Sequence, residues 1–226
     1  MPPARTTLIV GASPDLVEMA RHLGRDGDKI GLLARTEANL KQYKERLISR
    51  GVAAEYFASD VTDTGTVQAT FEKIASWSPQ LDRLIYNVGT ISSESASTLT
   101  SRGIHRAMNP NFFGFVNCFQ FSLPLFRKAV SAHVLILSSA RALDDEQPAA
   151  YAASKSALRI YVDALRRELS HEAVKFSEVY FGQKREAFGW RDLICEEIVD
   201  GVLEAIRSRP DRVIIGETAD SSKDMG

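Results

Sequence analysis

Thr7-Leu8-Ile9-Val10-Gly11 is the stretch that decides the fold, because an apolar run of strand length stops there at a glycine. Apolar residues then recur at helical spacing from residue 16 to residue 23. A buried strand, a tight turn and an amphipathic helix together form the opening unit of a parallel α/β sheet.

The same alternation of short apolar runs and longer amphipathic segments continues along the chain. The runs predict further strands at residues 29–34, 53–58, 81–86, 133–137, 175–181 and 212–215. The segments predict helices at 37–49, 66–77, 101–128 with a bend near Pro110, 149–170 and 193–208. Strict alternation implies right-handed crossovers, and therefore a doubly wound parallel sheet of the Rossmann type in three α/β/α layers. We expect one domain over residues 1–216 and a polar tail at 217–226.

Composition narrows the class of partner. The chain has 226 residues, 44% of them hydrophobic, and its net charge is −1 from 28 basic and 29 acidic residues. This balance gives no electrostatic reason to bind nucleic acid or an anionic membrane, so we expect a small-molecule substrate. Cys118 and Cys195 make no disulfide framework, and the start of the chain lacks the apolar core of a signal peptide. These features favour the reducing cytoplasm.

The segment Tyr151-Ala152-Ala153-Ser154-Lys155 carries the chemistry. Within the predicted helix, residues four positions apart share one face, so the phenol and the ammonium are neighbours. A nearby ammonium favours the phenolate and lowers the pKa of the tyrosine toward the useful range, which suggests a general acid/base. The pair alone could equally be accidental.

Further motifs follow the predicted strands in order. The chain as a whole, from Thr7 to about Gly216, resembles the short-chain dehydrogenase/reductase family, through Asp60-Val61, Asn87-Val88-Gly89, Asn111-Phe112-Phe113-Gly114, Ser138-Ser139 and Tyr151-x-x-x-Lys155. The resemblance implies reversible hydride transfer between a nicotinamide cofactor and a carbonyl or alcohol.

The same resemblance implies a role for each catalytic residue. Tyr151 would donate the proton, Lys155 would lower its pKa and hold the nicotinamide ribose, and Asn111 would anchor a water that connects Lys155 to solvent. A serine would orient the substrate oxygen. Matching the strand pattern selects Ser139, which leaves the loop to Tyr151 one residue short, whereas counting back by the usual interval selects Ser138. Strand residues alternate faces, so we expect only one serine to face the site, and we favour Ser139.

The first cofactor turn departs from the family pattern. Of three glycines in Gly-x-x-x-Gly-x-Gly only Gly11 remains, and Asp15 and Val17 occupy the other two places. A carboxylate at a helix N-terminus satisfies the N–H groups that would otherwise bind phosphate. Its repulsion of a pyrophosphate would cost about 1 to 4 kcal/mol. We expect weaker binding rather than none, with Gly11 and Ser13 as contacts.

Other cofactor contacts implied by the resemblance survive. Asp60 would bind the adenine amino group with Val61 beside it. Asn87 and Gly89 would belong to the segment that runs alongside the adenosine ribose. Gly182 matches the segment after strand six, although the family's Pro and Thr are missing there and the substrate lid is short. At the end of strand two, Ala34-Arg35 replaces the acid of NAD-binding members. A guanidinium suits a phosphate, so NADP(H) is favoured over NAD(H).

Two questions stay open in the sequence. The first is activity, because the departures from the family pattern also fit a catalytically impaired relative that serves as a binding or regulatory subunit. The second question concerns assembly: the long helix is aromatic on more than one face, and the family commonly pairs this helix, so we expect a homodimer or homotetramer. Its aromatic residues are Phe112, Phe113, Phe115, Phe119, Phe121 and Phe126. The four histidines show no metal-ligand spacing, and we expect no metal.

Overall fold

The computed structural model of the protein describes residues 4–91, 94–140, 147–181 and 196–216, except for the side chains of Asp15 and residues 196–198. Its strands are β1 (Thr6–Val10), β2 (Lys29–Ala34), β3 (Ala54–Ala58), β4 (Arg83–Tyr86), β5 (Ala132–Ser139), β6 (Val174–Phe181) and β7 (Arg212–Ile215). Its helices are α1 (Pro14–Arg25), α2 (Glu37–Ile48), α3 (Thr64–Trp77), α4 (Ser101–Met108), α5 (Gly114–Phe126), α6 (Ala149–Glu168) and α7 (Glu196–Ser208), with a π-helical turn at Asn109–Phe113.

The seven strands form one parallel sheet in the order β3-β2-β1-β4-β5-β6-β7. The predicted doubly wound parallel sheet is confirmed. The chain winds outward from β1 to β3 and then returns to continue with β4 on the other side. The carboxyl ends of β1 and β4 therefore meet at the point where the winding reverses, which is where open α/β sheets bind ligands.

Helices cover both faces of the sheet, and alternate strand residues divide between them. Leu8, Val10, Val134 and Ile136 pack into the core on the side of α3, α5 and α6. Ile9, Leu32, Leu135 and Leu137 pack on the side of α1, α2 and α7. Burial on both faces explains why these strands read as continuous apolar runs.

Several predicted boundaries differ from the observed ones. The first helix begins at Pro14, because proline suits the first position of a helix. The predicted strand at 133–137 extends to Ser139, so both serines belong to β5. The bend expected near Pro110 is the π-helical turn between α4 and α5. Residues 193–195 of the last predicted helix and the tail at 217–226 lie outside the described residues.

Candidate active site

Gly11 makes the tight turn after β1. Its φ is +83°, and a Cβ there would lie 2.6 Å from the backbone oxygen of Asn87. Its N–H donates to Leu33 O at 2.8 Å, and Asn87 Nδ2 donates to Gly11 O at 3.4 Å. Only glycine fits both this backbone conformation and the available space. The two hydrogen bonds connect the end of β1 to the ends of β2 and β4.

Helix α1 starts without the glycines of the family pattern. Ser13 is its N-cap in an extended conformation, and in the described part of the chain its hydroxyl makes no capping hydrogen bond. Val17 is 2% exposed and packs in the core beneath the helix. The helical backbone thus accepts Asp15 and Val17, but the Asp15 side chain lies outside the description. The expected repulsion of a pyrophosphate stays a prediction.

A cavity of about 770 Å³ lies over the carboxyl ends of β1 to β4. Six residues expected to bind cofactor line it: Gly11, Arg35, Asp60, Val61, Asn87 and Gly89. Ser13 is not among the described residues of its wall. The wall also contains residues that no sequence motif indicates: Thr36, Asn39, Ser59, Thr62, Glu94 and Arg106. Arg106 forms an ion pair with Glu94, which bridges α4 and the segment after β4.

The Asp60-Val61 wall of this cavity is fixed from two sides. Asp60 Oδ1 accepts hydrogen bonds from the backbone N–H and the hydroxyl of Thr62, at 2.9 and 2.8 Å. Val61 O accepts from Asn117 Nδ2 of α5 at 2.9 Å. The helix can come this close because its first residue is Gly114, where a Cβ would lie 2.7 Å from Val61 Cγ2.

A second cavity, of about 280 Å³, holds the predicted catalytic side chains. Tyr151 and Lys155 of α6 line it together with Ser138 and Ser139 of β5. Residues 87–91 after β4 line both cavities, so the two share one wall. The structure therefore places the tyrosine, the lysine and both serines beside the larger cavity.

The two serines lie on opposite faces of β5. Ser138 continues the face of Ile136, and both line a small pocket against Lys155 of α6. Ser139 continues the face of Leu135 and Leu137, which pack toward α7. Both lie at the carboxyl end of the strand and both line the second cavity, so Ser138 and Ser139 stay alternatives.

Asn111 is fully buried in the π-helical turn. Its Oδ1 accepts from Thr90 N at 2.7 Å, and its Nδ2 donates to Thr90 O at 3.0 Å and to Ser154 Oγ at 2.8 Å. The Tyr86 hydroxyl donates to Pro110 O at 3.0 Å within the same turn. The Asn111 side chain thus links the wall after β4 to helix α6.

Lys155 carries a buried positive charge. It is 8% exposed, and burial lowers the pKa of its ammonium from 10.5 to about 8. Its Nζ lies 5.9 Å from the centre of the Tyr151 ring. A Cβ at Gly89 would approach that Nζ to 3.1 Å, so the glycine leaves room for the lysine. A cation and a phenol held together in this way can move a proton to or from a bound oxygen.

Gly182 and the short lid that follows it lie outside the described residues. In the part of the chain that is described, no group of three or more His, Cys, Asp or Glu side chains is placed to hold a metal ion. None of the described helices is both long and apolar enough to cross a membrane.

Comparison with known proteins identifies the family. The profile of the short chain dehydrogenase family matches residues 5–185, and the chain therefore belongs to this family. A dehydrogenase/reductase SDR family protein 7-like of Drosophila melanogaster is 30% identical over 81% of this chain. The chain spans only 58% of the length of that relative.

Solved structures share the fold. A metagenomic short-chain oxidoreductase in complex with NADP is similar with a TM-score of 0.79 and 21% identity, over 93% of this chain and 96% of that one. The NADH-dependent reductase A1-R′ complexed with NAD has a TM-score of 0.73 and 22% identity, over 80% of this chain and 79% of that one. One neighbour holds NADP and the other NAD, so the comparison leaves the choice of nicotinamide cofactor open.

Proposed function

We propose that the chain catalyses reversible reduction of a carbonyl to an alcohol, with Tyr151 as the general acid/base. The observation that carries this proposal is the shared wall at residues 87–91, which separates the cavity of Tyr151, Lys155 and the serines from the cavity at the sheet's switch point. A dinucleotide lying across this wall would reach from one cavity into the other.

The cavities fit a nicotinamide dinucleotide. Gly11 and Gly89 lie on the cavity wall, and a Cβ at either position would crowd Asn87 or Lys155, so glycine at these two places keeps the wall close to both residues. Asp60 and Arg35 would hold the adenosine end, and Lys155 would hold the nicotinamide ribose. When bound, the cofactor supplies or accepts the hydride at the substrate carbon.

The protein's own groups handle the proton. Tyr151 gives its phenolic proton to the carbonyl oxygen during reduction and takes one back during oxidation. The Lys155 ammonium favours the phenolate form by its charge. Because the pKa of Lys155 is about 8, this help weakens as the pH rises above that value. A serine hydroxyl of β5 orients the carbonyl oxygen and stabilises the charge that develops on it.

NADP(H) is the favoured cofactor in this proposal. Arg35 is exposed on the wall of the larger cavity, and no described residue pairs with its guanidinium. Thr36, the N-cap of α2, lies beside it on the same wall. A guanidinium next to a helix N-terminus suits the 2′-phosphate that distinguishes NADP from NAD.

The proposal extends to substrate, assembly and location. The substrate is a small carbonyl or alcohol compound rather than nucleic acid or a membrane surface, which the balanced charge of the chain supports. Phe113 of the π-helical turn is 45% exposed and Ile160 of α6 is 63% exposed. These apolar side chains support the homodimer or homotetramer that we propose. The cytoplasm is the proposed compartment.

Replacing Tyr151 by Phe tests the proposal. Screening ketones, aldehydes and quinones with NADPH identifies a working substrate first. Tyr151→Phe should then lower kcat by about 10² to 10⁴-fold, the usual contribution of a positioned acid, while NADPH affinity changes little. Tyr161→Phe, the same change ten residues further along α6, is the matched control and should keep wild-type turnover.

Each outcome of this experiment separates the alternatives. Full turnover by Tyr151→Phe would contradict the assigned role. A wild-type chain that binds NADPH but reduces nothing in the screen would favour the binding or regulatory subunit instead. In the same assay, Ser138→Ala and Ser139→Ala show which serine orients the substrate, since only that variant should lose turnover.

A further inference from the structure

We infer that Ser154 is a positioning residue for the reaction, which transmits the placement of Asn111 to the peptide that joins Tyr151 to the rest of α6. The inference rests on the proposed function of Tyr151 and Lys155. Ser154 lies in the interval between these two residues and is fully buried, so it does not contact substrate.

The Ser154 hydroxyl makes two hydrogen bonds in opposite senses. It donates to Tyr151 O at 2.7 Å and accepts from Asn111 Nδ2 at 2.8 Å. Tyr151 O is also the acceptor that an α-helix offers to the N–H of Lys155. The hydroxyl therefore binds the peptide group that stands between the two catalytic side chains.

The direction of each bond in this network is determined. Thr90 N can only donate, so it fixes the oxygen of the Asn111 amide on its own side. The Asn111 Nδ2 group must then donate, and its two hydrogens go to Thr90 O and Ser154 Oγ. The single hydrogen of Ser154 is left for Tyr151 O. Every polar group in the chain of bonds is satisfied, which makes it stiff.

This network connects the cofactor wall to the catalytic helix. Thr90 lines both cavities, and Asn111 grips its backbone through both the N–H and the C=O. The hydrogen bond from Asn111 to Ser154 extends this network to the first turns of α6. Loss of the Ser154 hydroxyl leaves an Asn111 N–H buried without its acceptor and removes one of the two hydrogen bonds that Tyr151 O accepts. The tyrosine can then shift relative to the wall, and small misplacements of a catalytic group lower the rate strongly.

Ser154→Ala tests the inference, with Ser156→Ala on the same helix as the matched control. Ser154→Ala should lower kcat about tenfold to a hundredfold, in line with the cost of misplacing a catalytic group. Its Kd for NADPH should stay within about twofold, because Ser154 lines neither cavity among the described residues. Ser154→Cys, which keeps the size but is a weak hydrogen-bond partner, should show the same loss and covers the case in which alanine does not fold.

A double-mutant cycle adds a readout that simple packing would not move. If Ser154 acts through Asn111, then Asn111→Ala with Ser154→Ala should be no slower than the slower single variant. Multiplying losses, or a kcat of Ser154→Ala within twofold of wild type, would overturn the inference. Full turnover by Tyr151→Phe would instead overturn the proposed function, so the two failures are distinguishable.

Discussion

At the scale of one residue, burial of the Lys155 charge lowers the free energy of unfolding. Burial holds the pKa of its ammonium at about 8, below the ordinary 10.5, so the folded chain binds this proton less tightly than the unfolded chain does. Below pH 8 both states carry the charge, and the folded state bears the full cost of burying it. As the pH rises from 8 to 10.5 the folded lysine loses its proton first, and the cost disappears.

Lys155→Met should therefore stabilise the fold at pH 7 while removing activity. A pKa lowered from 10.5 to about 8 corresponds to a gain of up to about 3 kcal/mol in the free energy of unfolding, at about 1.4 kcal/mol per pKa unit. The gain over wild type should shrink between pH 8 and pH 10.5. Urea unfolding at several pH values measures it.

Lys73→Met is the control for this measurement, because Lys73 is exposed on α3. It should show no comparable gain at any pH. A Lys155→Met variant that is less stable than wild type at pH 7 would contradict this prediction. It would show that the interactions of the ammonium stabilise the fold by more than the burial of its charge destabilises it.

The proposed catalytic residues could be chosen from the sequence for two reasons. Tyr151 and Lys155 share a helix face by periodicity, and the family resemblance carried by the order of the motifs implies Asn111 and a serine. Ser154 could not be chosen in this way. Its partner Asn111 is 43 residues away, and only the folded chain shows that their side chains meet. The Glu94–Arg106 pair on the cavity wall was missed for the same reason.

At the scale of elements, the close contact of α5 with the sheet depends on Gly114. A Cβ there would lie 2.7 Å from both Tyr86 Oη and Val61 Cγ2. Gly114→Ala should lower the free energy of unfolding by about 1 to 3 kcal/mol, because overpacking outweighs the gain in helix propensity. Thermal or urea unfolding measures the change.

Gly65→Ala is the matched control on α3. A Cβ at Gly65 would meet only Asp63 Oδ1, at 3.4 Å, so the variant should be neutral or slightly stabilising. Equal stability of the two alanine variants would contradict the close packing of α5 on Tyr86 and Val61.

Element type followed from the sequence more readily than element ends. Alternating apolar runs and helical periodicity predicted all seven strands in the described sheet. The end of β5 was placed too early because Ser138 and Ser139 are polar, yet they pair with Tyr180 and Phe181 at the carboxyl ends of the two strands β5 and β6. Pro110 predicted a bend, but its π-helical form depends on contacts such as that of the Tyr86 hydroxyl, which lies 24 residues earlier in the chain.

At the scale of the molecule, the winding of the sheet places the cofactor turn after β1 beside the segment after β4. The two cavities share residues 87–91 for this reason. Fold class followed from the alternation of elements, and family from the motifs. Cofactor affinity did not, because it depends on the distance between the Asp15 carboxylate and a bound pyrophosphate, which residue type alone does not specify.

Titration of the purified chain with NADPH and with NADH, followed by cofactor fluorescence, tests the central claim most directly. We expect saturable binding of NADPH, tighter than that of NADH by about tenfold or more, the scale of a charge-assisted contact worth about 1.5 to 3 kcal/mol. Arg35→Ala should level the two affinities, and Tyr151→Phe should leave both unchanged. No detectable binding of either cofactor at millimolar concentration would contradict the account.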